Sequence, residues 1–185
     1  MNTHQKHVTD FDDFVQRQQV SQTEDQSFDW NRERDEWLAL LDELYGSVEG
    51  FLKPYIDGGT IEVSYREMQL NEENIGQYGV RQMVLKIGRQ QVAFTPIGTV
   101  LIGTKGRVDV EGAAGKARLI LTDRSATRPE IKVSIERGGR TSSPPTEQKT
   151  NIQWTWKIAT NPPRVSYIEL TQETLFELVM EVANG

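Results

Sequence analysis

From Asp29 onward the apolar positions recur first every three or four residues and then every second residue, and the chain divides where the period changes. Trp30, Trp37, Leu38, Leu41, Leu44, Tyr45, Val48, Phe51, Leu52, Tyr55 and Ile56 share one face of a predicted amphipathic helix. Asp29 is placed to cap it, and Glu33 lies in the first turns, where the positive end of the helix favours a carboxylate. Gly46 and Gly50 weaken the middle. Pro54 presses on the carbonyl of residue 50, so a bend is expected before the helix ends at Asp57-Gly58-Gly59.

Period two then takes over. Thr60 to Tyr65 predicts a strand with Ile61, Val63 and Tyr65 on one side. Met68 and Leu70 have the opposite parity, which predicts a bulge near Arg66 and Glu67 or departure of the chain from the sheet there. Asn71 to Gly79 has the composition of a loop. Val80 to Ile87 and Gln90 to Thr95 read as strands joined by a two-residue hairpin at Gly88-Arg89, with Pro96 as the stop. Ile97 to Ile102 is apolar on both parities and predicts a strand covered on both sides.

Arg107 to Glu111, Lys116 to Thr122 and Glu130 to Arg137 follow as further strands, the first two joined by the turn Gly112-Ala-Ala-Gly115. Gly138 to Thr150 is a flexible loop by composition. Ile152, Trp154, Trp156 and Ile158 form a period-two stripe, which reads as core. A Pro-Pro turn then leads into Val165 to Leu170. Thr171 is placed to cap a last helix with Leu175, Leu178, Val179 and Val182 on its apolar face. The predicted class is α+β: an antiparallel sheet of eight or nine strands, strongly curved or two-layered, packed with an N-terminal and a C-terminal amphipathic helix. Residues 27–185 form one such domain, and Gln90 to Asp123 is its expected centre.

Residues 1–26 are poor in core-forming side chains and predict a disordered or partner-docking tail. Within it, Thr9 could cap a short helix that carries Phe11, Phe14 and Val15 on one face. Alone in water such a helix is marginal and needs a surface to fold on.

The net charge of −6 is unevenly spread: −4 over residues 1–29, −4 over 30–57, +5 over 58–170 and −3 over the last fifteen residues. A basic sheet beside acidic helices accounts for this, as does a sheet that binds anions. No apolar run approaches the roughly 18 residues of a membrane span. The N-terminus lacks the apolar core of a secretory signal, so a cytoplasmic protein with no membrane contact is expected.

Candidate chemistry narrows the picture mainly by subtraction. The chain has no cysteine, and both histidines, His4 and His7, lie in the tail. Cys–His and Ser–His–Asp catalysis therefore lack their usual base in the body, and Cys/His zinc sites lack ligands. Gly98 to Lys105 has two glycines at phosphate-loop spacing, but the Thr-Lys order is reversed and no helix follows.

Lys105, Arg107, Asp109 and Glu111 share one parity. Asp109 and Glu111 could hold a divalent metal, with Asp123 or Glu136 as a third acid, although alternating charges also describe any solvent-facing strand. Arg118, Arg124, Arg128, Lys132, Arg137 and Arg140, with Lys116, make residues 116–140 basic and could contact phosphates of nucleic acid.

The leading expectation is a non-catalytic adaptor or binding module without a cofactor. Its partner is another protein, and Phe11, Phe14 and Val15 are candidate contacts. Nucleic-acid binding through residues 116–140 is the alternative, and a metal-dependent hydrolase or nuclease using Asp109 and Glu111 the second.

Overall fold

A computed structural model describes residues 29–99, 104–129 and 152–184. Helix α1 spans Trp30–Asp57 and helix α2 spans Gln172–Asn184. Between them run β1 (Ile61–Glu72), β2 (Gly76–Ile87), β3 (Gln90–Gly98), β4 (Gly106–Glu111), β5 (Lys116–Asp123), β6 (Trp154–Ala159) and β7 (Tyr167–Glu169). The seven strands form one open antiparallel sheet in sequence order, a meander in which each strand pairs with the next. The class is therefore α+β as expected, with seven strands among the described residues rather than eight or nine. The predicted strand Glu130 to Arg137, the loop 138–150 and the tail 1–26 lie outside the described residues.

Both helices have the ends their sequences imply. The Asp29 side chain accepts the Arg32 backbone N–H at 3.0 Å. At the other end of α1, Gly59 takes a positive φ of 69°. Its N–H reaches the Ile56 carbonyl at 3.0 Å while Thr60 N–H reaches Tyr55 at 2.9 Å, a glycine-terminated Schellman cap. The helix runs through Gly46, Gly50 and Pro54 without interruption. At α2, Thr171 and Thr174 cap each other: Thr174 N–H donates to Thr171 Oγ1 at 3.3 Å and Thr171 N–H to Thr174 Oγ1 at 2.8 Å.

The helices supply most of the cover on one face of the sheet. Trp37, Leu41, Leu44, Val48 and Leu52 from α1 and Leu175, Leu178 and Val182 from α2 share a single core with Leu85, Phe94, Val108, Val110, Leu119 and Leu121. Two glycines owe their place to how closely these layers approach. A Cβ on Gly106 would stand 2.7 Å from Cε3 of the fully buried Trp37, and one on Gly112 would stand 2.8 Å from the Val182 carbonyl carbon. That Val182 oxygen is an otherwise orphaned helix-end acceptor. The β4–β5 turn satisfies it through Ala114 N–H at 2.9 Å and Gly115 N–H at 3.2 Å.

Three expectations need correction. Asn71 to Gly79 is not a loop: β1 and β2 pair without a break from Ile61↔Ile87 to Glu72↔Gly76, leaving only Glu73 to Ile75 as the turn. No bulge lies near Arg66 and Glu67; of the two alternatives the departure holds, because β2, opposite them, parts from β3 after Met83↔Phe94. Both strands change their buried parity together, Met83 and Leu85 giving way to Tyr78 and Val80, so the outer half of the hairpin turns as a unit. Nor does Pro96 end its strand; β3 continues to Gly98, with a register shift between Pro96 and Gly98. Of the doubly covered strand expected at Ile97 to Ile102, residues 100–103 lie outside the described residues, and Ile97 is 40% exposed.

Pro96 explains where the hairpin parts from the sheet. The two-residue turn Gly88-Arg89 closes on Ile87↔Gln90, so Ile87, Leu85 and Met83 exchange main-chain bonds with Gln90, Val92 and Phe94. The next such pair would be Arg81 with Pro96, and proline has no N–H to give. Pairing between β2 and β3 stops at Met83↔Phe94. The Arg81 carbonyl instead receives the Tyr45 hydroxyl of α1 at 2.6 Å. One side chain of the helix thus replaces a missing sheet bond.

Candidate functional site: the free edge of the first strand

The outermost strands of the sheet are unlike. β7 is three residues long, and two of its outward main-chain groups are in use: Tyr167 N–H donates to the Thr127 carbonyl at 2.9 Å and the Glu169 carbonyl accepts the Thr174 hydroxyl at 2.8 Å. β1 is twelve residues long, about 40 Å of extended chain, with no proline and no bulge. Among the described residues its outer side has no strand partner.

Hairpin geometry fixes which groups face outward. Since Ile87, Leu85 and Met83 bond to β3, the intervening Lys86, Val84 and Gln82 bond to β1, to Glu62, Ser64 and Arg66. Val63, Tyr65, Glu67 and Gln69 therefore turn their N–H and C=O groups to the open edge.

Beside this edge, α1 and the outer half of the hairpin leave a cleft of about 330 Å³. Leu38, Leu41, Tyr45 and Val80 supply its apolar walls, and Asp42, Glu67 and Arg81 its polar lining. The Arg81 guanidinium bonds Asp42 at 2.8 Å and lies 4.8 Å from the centre of the Tyr65 ring. Hydrogen bonding to Asp42 holds the Arg81 pKa above its ordinary value. Tyr65 packs on Tyr45, with ring centres 5.7 Å apart, and donates its hydroxyl to Glu49 at 2.5 Å. Burial raises the pKa of the Tyr45 phenol, and burial together with the Glu49 carboxylate raises that of Tyr65. These contacts bind the hairpin to the helix and hold the cleft open between them. At the hairpin tip, Glu72 accepts the Tyr78 hydroxyl and both the N–H and hydroxyl of Thr99, at 2.9 and 2.8 Å.

The residues singled out from the sequence fall elsewhere. Asp109 is buried, and both of its oxygens are held by Arg107, at 2.6 and 3.0 Å, with Lys116 at 3.6 Å from one of them. Glu111 pairs with Lys116 at 3.1 Å, and the Glu111 carboxylate raises the lysine's pKa. Asp123 is on the opposite face of the sheet, because Asp109 pairs with Arg118 and shares its parity. It closes its own turn onto Ser125, whose hydroxyl and N–H lower its pKa. Among the described residues no three His, Cys, Asp or Glu side chains gather as metal ligands; Glu136 lies outside them.

Lys105 leaves the charged row altogether. It turns to α1, pairs with Glu33 at 3.0 Å and Glu36 at 2.9 Å, and lies over the Trp154 ring. Trp156 is buried as expected and donates to the Leu40 carbonyl at 2.9 Å.

Of the basic set, Arg118 bonds the Thr160 carbonyl at 3.2 Å, and Arg124 and Arg128 are exposed in the segment after β5. Six residues of extended chain, about 20 Å, separate Arg118 from Arg124. Lys132, Arg137 and Arg140 lie outside the described residues, as do Phe11, Phe14 and Val15. Among the described residues the one buried cation of the sheet, Lys157, is spent internally on the Arg124 and Ala126 carbonyls, at 2.7 and 2.9 Å, and on Glu169 at 3.1 Å.

Sequence reasoning missed the edge because it took Asn71 to Gly79 for a loop and so halved the hairpin. The opposite parity of Met68 and Leu70 was the available signal. No family model matches the chain, and neither a curated protein nor a solved structure matches it.

Proposed function

We propose that this protein is a non-catalytic binding module that takes up another protein by adding a strand of that partner to β1. The observation that carries the reading is the contrast between the outermost strands. β7 is short and two of its outward groups are already bonded, whereas among the described residues β1 offers Val63, Tyr65, Glu67 and Gln69 without proline, bulge or strand partner. Long unprotected edges are liabilities that soluble proteins usually blunt, and strand addition is the recurrent use of one that is kept. The carboxylates of the sheet give supporting weight, since Asp109 and Glu111 are neutralised by Arg107 and Lys116.

The test is amide exchange on the full chain with and without a bound partner. Binding through the edge protects the Val63, Tyr65, Glu67 and Gln69 amides, and Gln69→Pro, which removes one outward donor and leaves the β1–β2 ladder intact, abolishes it. A partner that binds while those four amides exchange as before overturns the reading. Deleting residues 1–26 in parallel measures what Phe11, Phe14 and Val15 contribute.

A further inference from the structure

The edge lies beside a cleft, and the two together describe a ligand. Glu67 belongs to both: its main chain faces the open edge, and its side chain lines the cleft between α1 and the hairpin. In an antiparallel or parallel ladder, a residue set opposite Glu67 places its side chain on the same face as Glu67. That face leads to α1, where Leu38 is half-buried and Leu41 and Tyr45 form the floor of the cleft. At about 330 Å³ the cleft stands at the small end of the range for ligand pockets and has room for one large apolar side chain.

The charge around it selects further. Asp42, Glu49 and Glu67 stand against the single guanidinium of Arg81, which is already bonded to Asp42. This chain's own residues 1–29, with two basic and six acidic side chains, would bring like charge to that rim.

We infer that the strand received by β1 is a basic segment of a partner protein, with one large apolar residue set opposite Glu67 and seated in this cleft. This rests on the edge reading above and adds the partner's chemistry to it. Lysine or arginine flanks meet Glu67 and Glu49, and the apolar residue carries the specificity.

The experiment selects displayed random-sequence peptides on the full chain. Enriched peptides are expected to be basic and to share one Leu, Met, Phe or Trp, whose replacement by Ala weakens binding about tenfold or more. Their affinity falls as salt rises.

Gly79 lines the cleft, and a Cβ there meets nothing closer than Gln69 Nε2 at 3.6 Å, so Gly79→Leu plugs the cleft without entering the core. It should weaken the selected peptides about tenfold and leave their Ala variants unchanged. Gln69→Pro should abolish both. Peptides lost in Gln69→Pro but indifferent to Gly79→Leu would overturn the cleft assignment and leave the edge reading standing. Indifference to Gln69→Pro, or no enriched peptide at all, would overturn both. Acidic peptides, or a peptide of residues 1–28 that outcompetes the selected ones, would overturn the partner's chemistry and assign the cleft to this chain's own N-terminus.

Discussion

Removing the Tyr45 hydroxyl tests whether α1 completes the sheet. In Tyr45→Phe the ring stays, with its packing on Tyr65, and the hydroxyl's bonds are lost: the 2.6 Å donation to the Arg81 carbonyl and a longer, 3.5 Å contact with the Phe94 carbonyl. That carbonyl has no sheet donor because the residue opposite it would be Pro96. Stranding a buried acceptor costs about 1–3 kcal/mol, and the lower half applies here because the bond is only partly buried. In a chain of this size that is a fall in melting temperature of about 2–8 °C.

Pro96→Ala restores an N–H at the position where β2 and β3 separate, so Tyr45→Phe should cost less in that background, with a coupling of about 0.5–1.5 kcal/mol. Thermal and urea unfolding of the four proteins measures it. An equal cost in both backgrounds would show that the hydroxyl does not stand in for the missing proline donor, and the account of why the hairpin leaves the sheet would fail.

Other consequences are simpler to read. Gly106→Ala forces a methyl onto Trp37 and should cost about 1–3 kcal/mol in urea unfolding. Trp37→Phe should recover part of this, because Trp37 Nε1 makes no well-formed hydrogen bond, the Tyr78 hydroxyl nearby included, so only ring volume is lost.

Lys157→Met keeps an apolar stem and leaves the Arg124 and Ala126 carbonyls unpaired; a loss of about 1–3 kcal/mol is expected, with faster amide exchange at Ser125 and Ala126. Tyr45, Tyr65, Tyr78 and Tyr167 all have raised pKa values in the fold, chiefly through burial. Their contribution to stability is complete below the ordinary phenol value near 10 and declines as the pH rises past it, since the unfolded chain then releases protons first. Ultraviolet titration should therefore show the two buried phenols, Tyr45 and Tyr78, ionising late and together with unfolding. Full ionisation at an ordinary pH with the fold intact would refute the burial assigned to them.

How far the sequence could be read depended on the range of the interaction. The helices were legible because caps are local: Asp29, the Gly58-Gly59 stop and Thr171 each act within a few residues. The strands of the helix-covered face were legible because Ile61, Leu85, Val92, Val108 and Leu119 alternate, and the Gly88-Arg89 turn because Gly88 takes a positive φ. The exchange of parity in the outer hairpin was not, since it needs β1 and β2 to turn together against Trp37 and Tyr45, far away in the chain. Charge was least legible of all. Lys105 shares a parity with Arg107, Asp109 and Glu111 in the sequence, yet the strand begins only at Gly106, so Lys105 is free to turn back to Glu33 and Glu36.

Pro96, which composition presented as a stop signal, links the sheet to the proposed site. A residue with an N–H there would let β2 stay paired with β3 past Phe94, and the outer hairpin would lie in the plane of the sheet. The hairpin instead parts from β3 at that point. It carries Tyr78 and Val80 into the core, and Tyr45 closes the gap left at Arg81. The same departure leaves the cleft between α1 and the hairpin. The cleft is thus a consequence of one missing donor, and Pro96→Ala should act on it as well as on stability. If β2 re-pairs with β3 in that variant, the selected peptides should lose the part of their affinity that depends on the apolar residue and keep the part that depends on Gln69. Crystallography of the variant, or amide exchange at Arg81 and at the amide introduced at position 96, shows whether re-pairing has occurred. Re-pairing with undiminished preference for the apolar residue would separate the cleft from the hairpin's departure and remove the structural reason given for it.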